Sequence, residues 1–183
     1  MASSAASLLR AGRCRPPLDV PHVRCTPKPV RRQLVRTLRP TWTAGSVAII
    51  EHADGRWLFV RPVYREGWAL PGGLVDRGEH PADTVRRELH EELGLTVQVT
   101  GEPWIILDLV LQRIETVFTI SLPPDVDPDT VRVTTAELID VGWYDPAEPP
   151  PLEEETHYVI ALAAQVAAGG RRVWIHPEPT NGP

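Results

Sequence analysis

Hydrophobic positions take on a regular period only from Trp42 onward. SVAII (46–50) and WLFVRPV (57–63) are two β-rich runs joined through EHADGR, whose Asp54-Gly55 pair predicts a β-hairpin turn. The Gly/Pro-rich stretch EGWALPGGLVDRGEHP (66–81) reads as a turn. From His80 to Leu93 the period lengthens, placing Ala82, Val85, Leu89 and Leu93 on one helical stripe. Pro81 suits the first turn of that helix, and Gly94 the left-handed position after its last. LTVQVT (95–100), WIILDLVL (104–111) and IETVFTISL (114–122) follow as strand candidates, then a Pro/Asp loop (123–129) and a strand around ELIDVGWYD (137–145). PLEEETHYVIALAAQVAAGG (151–170) predicts a helix stopped by Gly169-Gly170, and RRVWIH (171–176) a last short strand. This order predicts an α/β fold, a mixed sheet with helices packed on it. It places one domain at 41–177 and a flexible tail at 178–183.

The first 40 residues carry six prolines and no sustained period, so an unstructured arm is expected there, with one helical turn at RRQLVRTLR (31–39). The arm holds nine basic residues and one acid, a net +8, whereas the remaining chain nets −13. A body this acidic is a poor general nucleic-acid binder, and any such contact would fall to the arm. No stable nucleic-acid partner is expected. The 183 residues are 42% hydrophobic and 23% charged, the balance of a soluble globular protein with a single core. No apolar run approaches the ~18 residues of a membrane helix, and Cys14 and Cys25 form neither a disulfide framework nor a zinc pair. Cytoplasm is the expected location, with an organelle as the alternative because MASSAASLLRAGRCR is Ser/Ala/Arg-rich and acid-poor.

The chemistry concentrates in GLVDRGEHPADTVRRELHEELGL, residues 73–95. Its helix sets Glu88, Glu91 and Glu92 at i, i+3 and i+4, beside the apolar stripe rather than opposite it, where a cleft can form. Three like charges there repel by about 0.2–0.5 kcal/mol per pair, and acids in a last turn oppose the helix dipole. Arg87 offsets part of that through Glu91 at i+4, and a hard divalent cation suits the remaining oxygens better than zinc does. A bare E-x-x-E-E is usually a solvated helix face. The surrounding residues change that reading, because Gly73, Glu79, Arg87, Glu88, Leu89, Glu91, Glu92, Gly94 and Leu95 fill every fixed position of a known motif, with Leu70-Pro71-Gly72 opening its loop. At average residue usage such a match arises by chance on the order of once in 10⁸ chains of this length.

The chain therefore resembles the Nudix hydrolases. The resemblance implies an α/β/α sandwich with a mixed sheet over about residues 42–176, and Mg²⁺- or Mn²⁺-dependent hydrolysis of a nucleoside diphosphate linked to another moiety X. It makes Glu91 and Glu92 metal ligands, Glu88 a ligand or the general base, and the Gly72 carbonyl a further ligand. Arg87 and Glu79 would orient that cluster, and Leu89 and Leu95 would pack. Some members of that family take a further carboxylate from outside the motif; Glu137 and Asp140 are the candidates for it, each reading first as a strand-edge surface acid. Arg61, Tyr64 and Trp68 are candidate cleft residues, with core packing the alternative for Trp68 and solvent exposure for Arg61. The expected partner is a small nucleotide, and both a monomer and a homodimer stay open. Two other readings are a nucleotide sensor that does not cleave, and an RNA 5′-end pyrophosphohydrolase using the arm. A zincin is excluded because position 94 is Gly rather than His, and no P-loop is present. An isopentenyl-diphosphate isomerase would need a core cysteine, and both cysteines lie in the arm.

Overall fold

The computed structural model describes residues 41–122 and 124–176. The expectations for the arm at 1–40 and the tail at 178–183 fall outside these residues. Among the described residues seven strands form one sheet: β1 (Thr43–Glu51), β2 (Trp57–Pro62), β3 (Gly72–Leu74), β4 (Trp104–Asp108), β5 (Arg113–Ser121), β6 (Leu138–Tyr144) and β7 (Val173–His176). Two helices, α1 (Pro81–Leu93) and α2 (Glu154–Ala167), accompany it. The strand order is β6-β2-β1-β5-β4-β7, with β3 added to β1. The sheet is mixed: β1 runs parallel to β5, β4 parallel to β7, and the other pairs are antiparallel.

Residue alternation explains the layers. Along β1, Ala48 and Ile50 enter an apolar cluster with Val85, Leu89 and Leu93 of α1, while Ile49 enters a second cluster with Val159, Leu162 and Ala163 of α2. Leu58 and Val60 of β2 face the first cluster and Phe59 the second; on β5, Phe118 and Ile120 face the first and Val117 the second. Both faces of the central strands are covered, which is why they read as unbroken apolar runs. The expected α/β/α sandwich is the observed architecture.

The turn at Asp54-Gly55 forms as expected, with Gly55 at φ 90° and its N–H donating to the His52 carbonyl. Three local differences stand out. LTVQVT is not a strand. Leu95 and Val97 are buried in the α1-side cluster, so its alternation records burial, while its backbone has no ladder partner among the described residues. WIILDLVL stops at Asp108, whose Oδ1 accepts from the N–H groups of Val110 and Leu111 (2.8 Å each) and turns the chain. Leu109, Val110 and Leu111 are exposed in that turn. Conversely, Gly72–Leu74, read as turn, forms β3 against Gly45–Val47. A Cβ on Gly72, at φ 144°, would overlap the Ser46 carbonyl and the Val47 Cα, so only glycine permits this pairing.

Candidate active site

Helix α1 begins where the sequence places it. The His80 imidazole accepts from the Ala82 N–H, Pro81 occupies the first turn, and Gly94 at φ 67° ends the helix. The Gly94 and Leu95 N–H groups turn back onto the His90 and Leu89 carbonyls. Leu89 is fully buried and Leu95 nearly so, and both pack in the α1-side core as expected. The carboxylates sit beside that buried stripe. A Cβ on Gly73 would overlap the Glu88 carboxyl, so the second glycine of the loop exists to let Glu88 lie against β3.

Arg87 organises the acids around it. Its Nε and one terminal nitrogen donate to the two oxygens of Glu79 (2.9 and 3.1 Å). The same terminal nitrogen donates to the Leu74 carbonyl (3.3 Å). The other terminal nitrogen donates to Glu88 (2.7 Å) and Glu91 (3.4 Å). That engages all five N–H groups a guanidinium owns. Glu79 also accepts from the Thr84 hydroxyl and the Asp76 N–H. The Arg87 guanidinium, aided by those donors, lowers the Glu79 carboxyl to about 2. Arg87 is raised in turn, chiefly by its hydrogen bond to Glu79.

Glu92 differs from its neighbours. It is 9% exposed, and its Oε2 is buried without a hydrogen-bond partner. Burial, then the nearby Glu88 charge, raises its carboxyl to about 8, against the lowering effect of a hydrogen bond from the Gly72 backbone. An orphaned buried carboxylate oxygen beside two further carboxylates is a donor set of hard oxygens, which fits Mg²⁺ or Mn²⁺. The cage is not pre-closed. Among the described residues no three His, Cys, Asp or Glu side chains converge on one point, because Glu88 and Glu91 are held by Arg87 and Glu91 is exposed.

The remaining predicted residues separate. Glu137 is exposed, its charge helps raise Glu92, and its carbonyl accepts from the Val63 N–H (2.9 Å). Asp140 faces Arg61 across the β2–β6 ladder and accepts from the Val141 N–H, and both Asp140 and Arg61 are exposed. Tyr64 is exposed and sits in the loop at the end of β2. Its phenol is raised by desolvation, with Glu92, Glu137 and Glu153 adding to that and Arg65 opposing it. Trp68, a candidate cleft residue, is instead a core residue: it is 9% exposed and packs edge-on against Tyr144 at 5.0 Å. Its N–H donates to the Pro151 carbonyl and its carbonyl accepts from the Glu153 N–H, and its indole joins the α2-side apolar cluster.

Sequence reasoning missed Thr134, whose hydroxyl donates to the Glu91 carbonyl (2.7 Å) and whose N–H donates to that of Glu92 (2.8 Å). It also missed a cavity of about 1000 Å³ on the α2 side, lined among others by Val47, Leu70, Ile106, Arg113, Glu115 and Val159. Arg113 pairs with Glu115 (2.5 Å) and with Glu155. Burial raises Glu115 to about 7, with Arg113 working against it. The signal was available. Arg113 and Glu115 occupy the inward phase of β5 that Val117 continues, so two charges stand where the strand buries its side chains. Arg65 lines the cavity, and the adjacent Tyr64 lies near enough to Glu92 and Glu137 for their charges to raise its phenol.

Comparison with known proteins agrees with this fold. The NUDIX domain model matches residues 41–163. A MutT-like protein of Streptomyces ambofaciens is 27% identical over 73% of this chain and 83% of its own length. The nucleoside triphosphatase NudI of Escherichia coli is 31% identical over 61% of this chain and 84% of its own. RNA pyrophosphohydrolases of three other bacteria are matched over only 27–35% of their length. The crystal structure of a NUDIX hydrolase from Nitrosomonas europaea superposes with a TM-score of 0.60, at 18% identity, over 75% of this chain and 80% of that one.

Proposed function

The chain belongs to the NUDIX family of hydrolases, and from that membership we propose that it hydrolyses the pyrophosphate linkage of a small nucleoside diphosphate derivative with the help of Mg²⁺ or Mn²⁺. The observation that carries this reading is the buried, unpartnered Glu92 Oε2 on a helix that also carries Glu88 and Glu91. Glu88, Glu91, Glu92 and the Gly72 carbonyl would hold the cation. When bound, it neutralises the pyrophosphate and makes its phosphorus a better electrophile.

The chain's own residues do the rest. Arg87 fixes the rotamers of Glu88 and Glu91 from one side, and Glu79 fixes Arg87. Glu88, lying against Gly73 with a single donor from Arg87, has capacity left to take the proton of an attacking water. Thr134 secures the helix end that carries Glu91 and Glu92. Glu137 supplies further negative charge toward Glu92. The cavity beyond Arg65 takes the nucleoside. Small-nucleotide relatives such as the nucleoside triphosphatase support this class, and the cytoplasm suits a soluble substrate of that kind.

A panel of nucleoside diphosphate derivatives and triphosphates, assayed with Mg²⁺ or Mn²⁺ for released phosphates, tests the proposal. Cleavage of at least one member is expected, and it should vanish on adding a chelator. Binding of a nucleotide without any cleavage would instead favour a sensor.

A further inference from the structure

On the α2 side of the sheet, Arg113 and Glu115 hold open two hydrogen-bonding positions that the carboxylate cluster does not use. Glu115 is 9% exposed and lines the cavity, yet its Oε1 has no partner, and the same holds for Arg113 Nε. The other atoms are engaged. Glu115 Oε2 meets one terminal nitrogen of Arg113, and the second terminal nitrogen meets Glu155. What remains is one buried acceptor next to one buried donor. Such groups cost stability unless a partner fills them. Gly45 lies directly beneath, where a Cβ would come within 2.6–2.9 Å of both carboxylate oxygens and the guanidinium. Around the pair, Val47, Leu70, Ile106 and Val159 provide apolar walls suited to a flat ring.

Resting on the reading of this cavity as the seat of the substrate's nucleoside, we propose that Arg113 and Glu115 read the lactam edge of a nucleobase, the ring N–H donating to Glu115 Oε1 and the adjacent carbonyl accepting from Arg113 Nε–H. The match lies in the count of hydrogens. Uracil and hypoxanthine present one N–H next to one carbonyl, and both open positions are then satisfied. Adenine and cytosine present an exocyclic amine next to a bare ring nitrogen. One amine hydrogen reaches Glu115 and the ring nitrogen accepts from Arg113, but a second amine hydrogen is left over for which the pair offers no acceptor.

Calorimetric titration of the full chain with UMP, IMP, AMP and CMP separates recognition from turnover, because none of them carries a pyrophosphate bond. UMP and IMP are expected to bind at least about tenfold more tightly than AMP and CMP. Glu115→Gln should shrink that preference to within about threefold, since an amide there can turn either its oxygen or its NH₂ into the cavity. Gly45→Ala, which pushes the carboxylate aside and keeps its charge, should do the same. Equal binding of all four, a preference for AMP or CMP, or a preference that survives Glu115→Gln overturns the proposal. Failure of all four to bind, with pyrophosphate cleavage intact, overturns it as well. A UMP and IMP preference in a protein that cleaves nothing sinks the hydrolase reading and leaves this one standing.

Discussion

Replacing Glu92 with Gln pulls activity and stability in opposite directions. Turnover should fall by most of its value, because the amide keeps the shape and loses the charge that would hold a cation. Stability should rise in chelator-treated protein. The folded carboxyl titrates near 8 and an unfolded one near 4.5, so its ionisation favours the unfolded chain increasingly as pH climbs between those values. The stability gap between Glu92→Gln and the natural protein should therefore be absent near pH 4 and reach on the order of 2–4 kcal/mol by pH 8, read from thermal melts across that range. Glu79 has the reverse sign. Its carboxyl is lowered to about 2, so its contribution is complete above about pH 4.5 and lost as pH drops toward 2. Glu79→Gln should flatten the acid limb of the stability profile, measured by denaturant unfolding. At this scale the motif residues were legible because their spacing is dense and their types are few. Trp68 was ambiguous, since a tryptophan beside a loop gives no sign of which way it faces, and here Tyr144 decided it. Glu115 was overlooked although its strand phase pointed inward.

Helix α1 was readable in its extent because three independent signals agree: the His80 and Pro81 start, the apolar stripe, and the Gly94 stop. Leu89 is at 0% exposure in that stripe. Leu89→Ala should cost about 2–5 kcal/mol, seen as a lowered denaturation midpoint. The far end of the helix depends on a segment distant in sequence. Thr134→Val removes only the hydroxyl bond to the Glu91 carbonyl, so a loss of about 1 kcal/mol is expected, together with weaker cation binding by titration calorimetry. No local pattern announces that contact. The same limit explains LTVQVT and β3. Alternation reports which side chains turn inward, as Leu95 and Val97 do, but a ladder needs a neighbouring strand, and strand adjacency is a property of the whole sheet.

For the molecule as a whole, the sandwich is a consequence of strands apolar on both faces, which leaves no choice but to cover each face with a helix. The acidic balance of residues 41–183 bears on substrate choice. A small nucleotide makes few phosphate contacts, so kcat/KM should change only shallowly between 50 and 200 mM salt. An RNA end gripped by six arm charges would give a log–log slope of about −4. Deleting residues 1–30 should leave small-nucleotide cleavage unchanged, as a direct assay of the truncated protein would show. The parallel pairing of β1 with β5 has a different kind of consequence. Each of its register pairs joins residues seventy positions apart, from Thr43 with Arg113 to Glu51 with Ser121. A ribosome adding about 5–20 residues per second needs roughly 4–14 s to make that stretch. For an interval of that length, from the emergence of β1 to that of β5, Val47-Ala48-Ile49-Ile50 stands outside the ribosome with one edge bare. Released chains truncated before Arg113 should be cut readily by protease and held by chaperones, whereas the released full chain should resist.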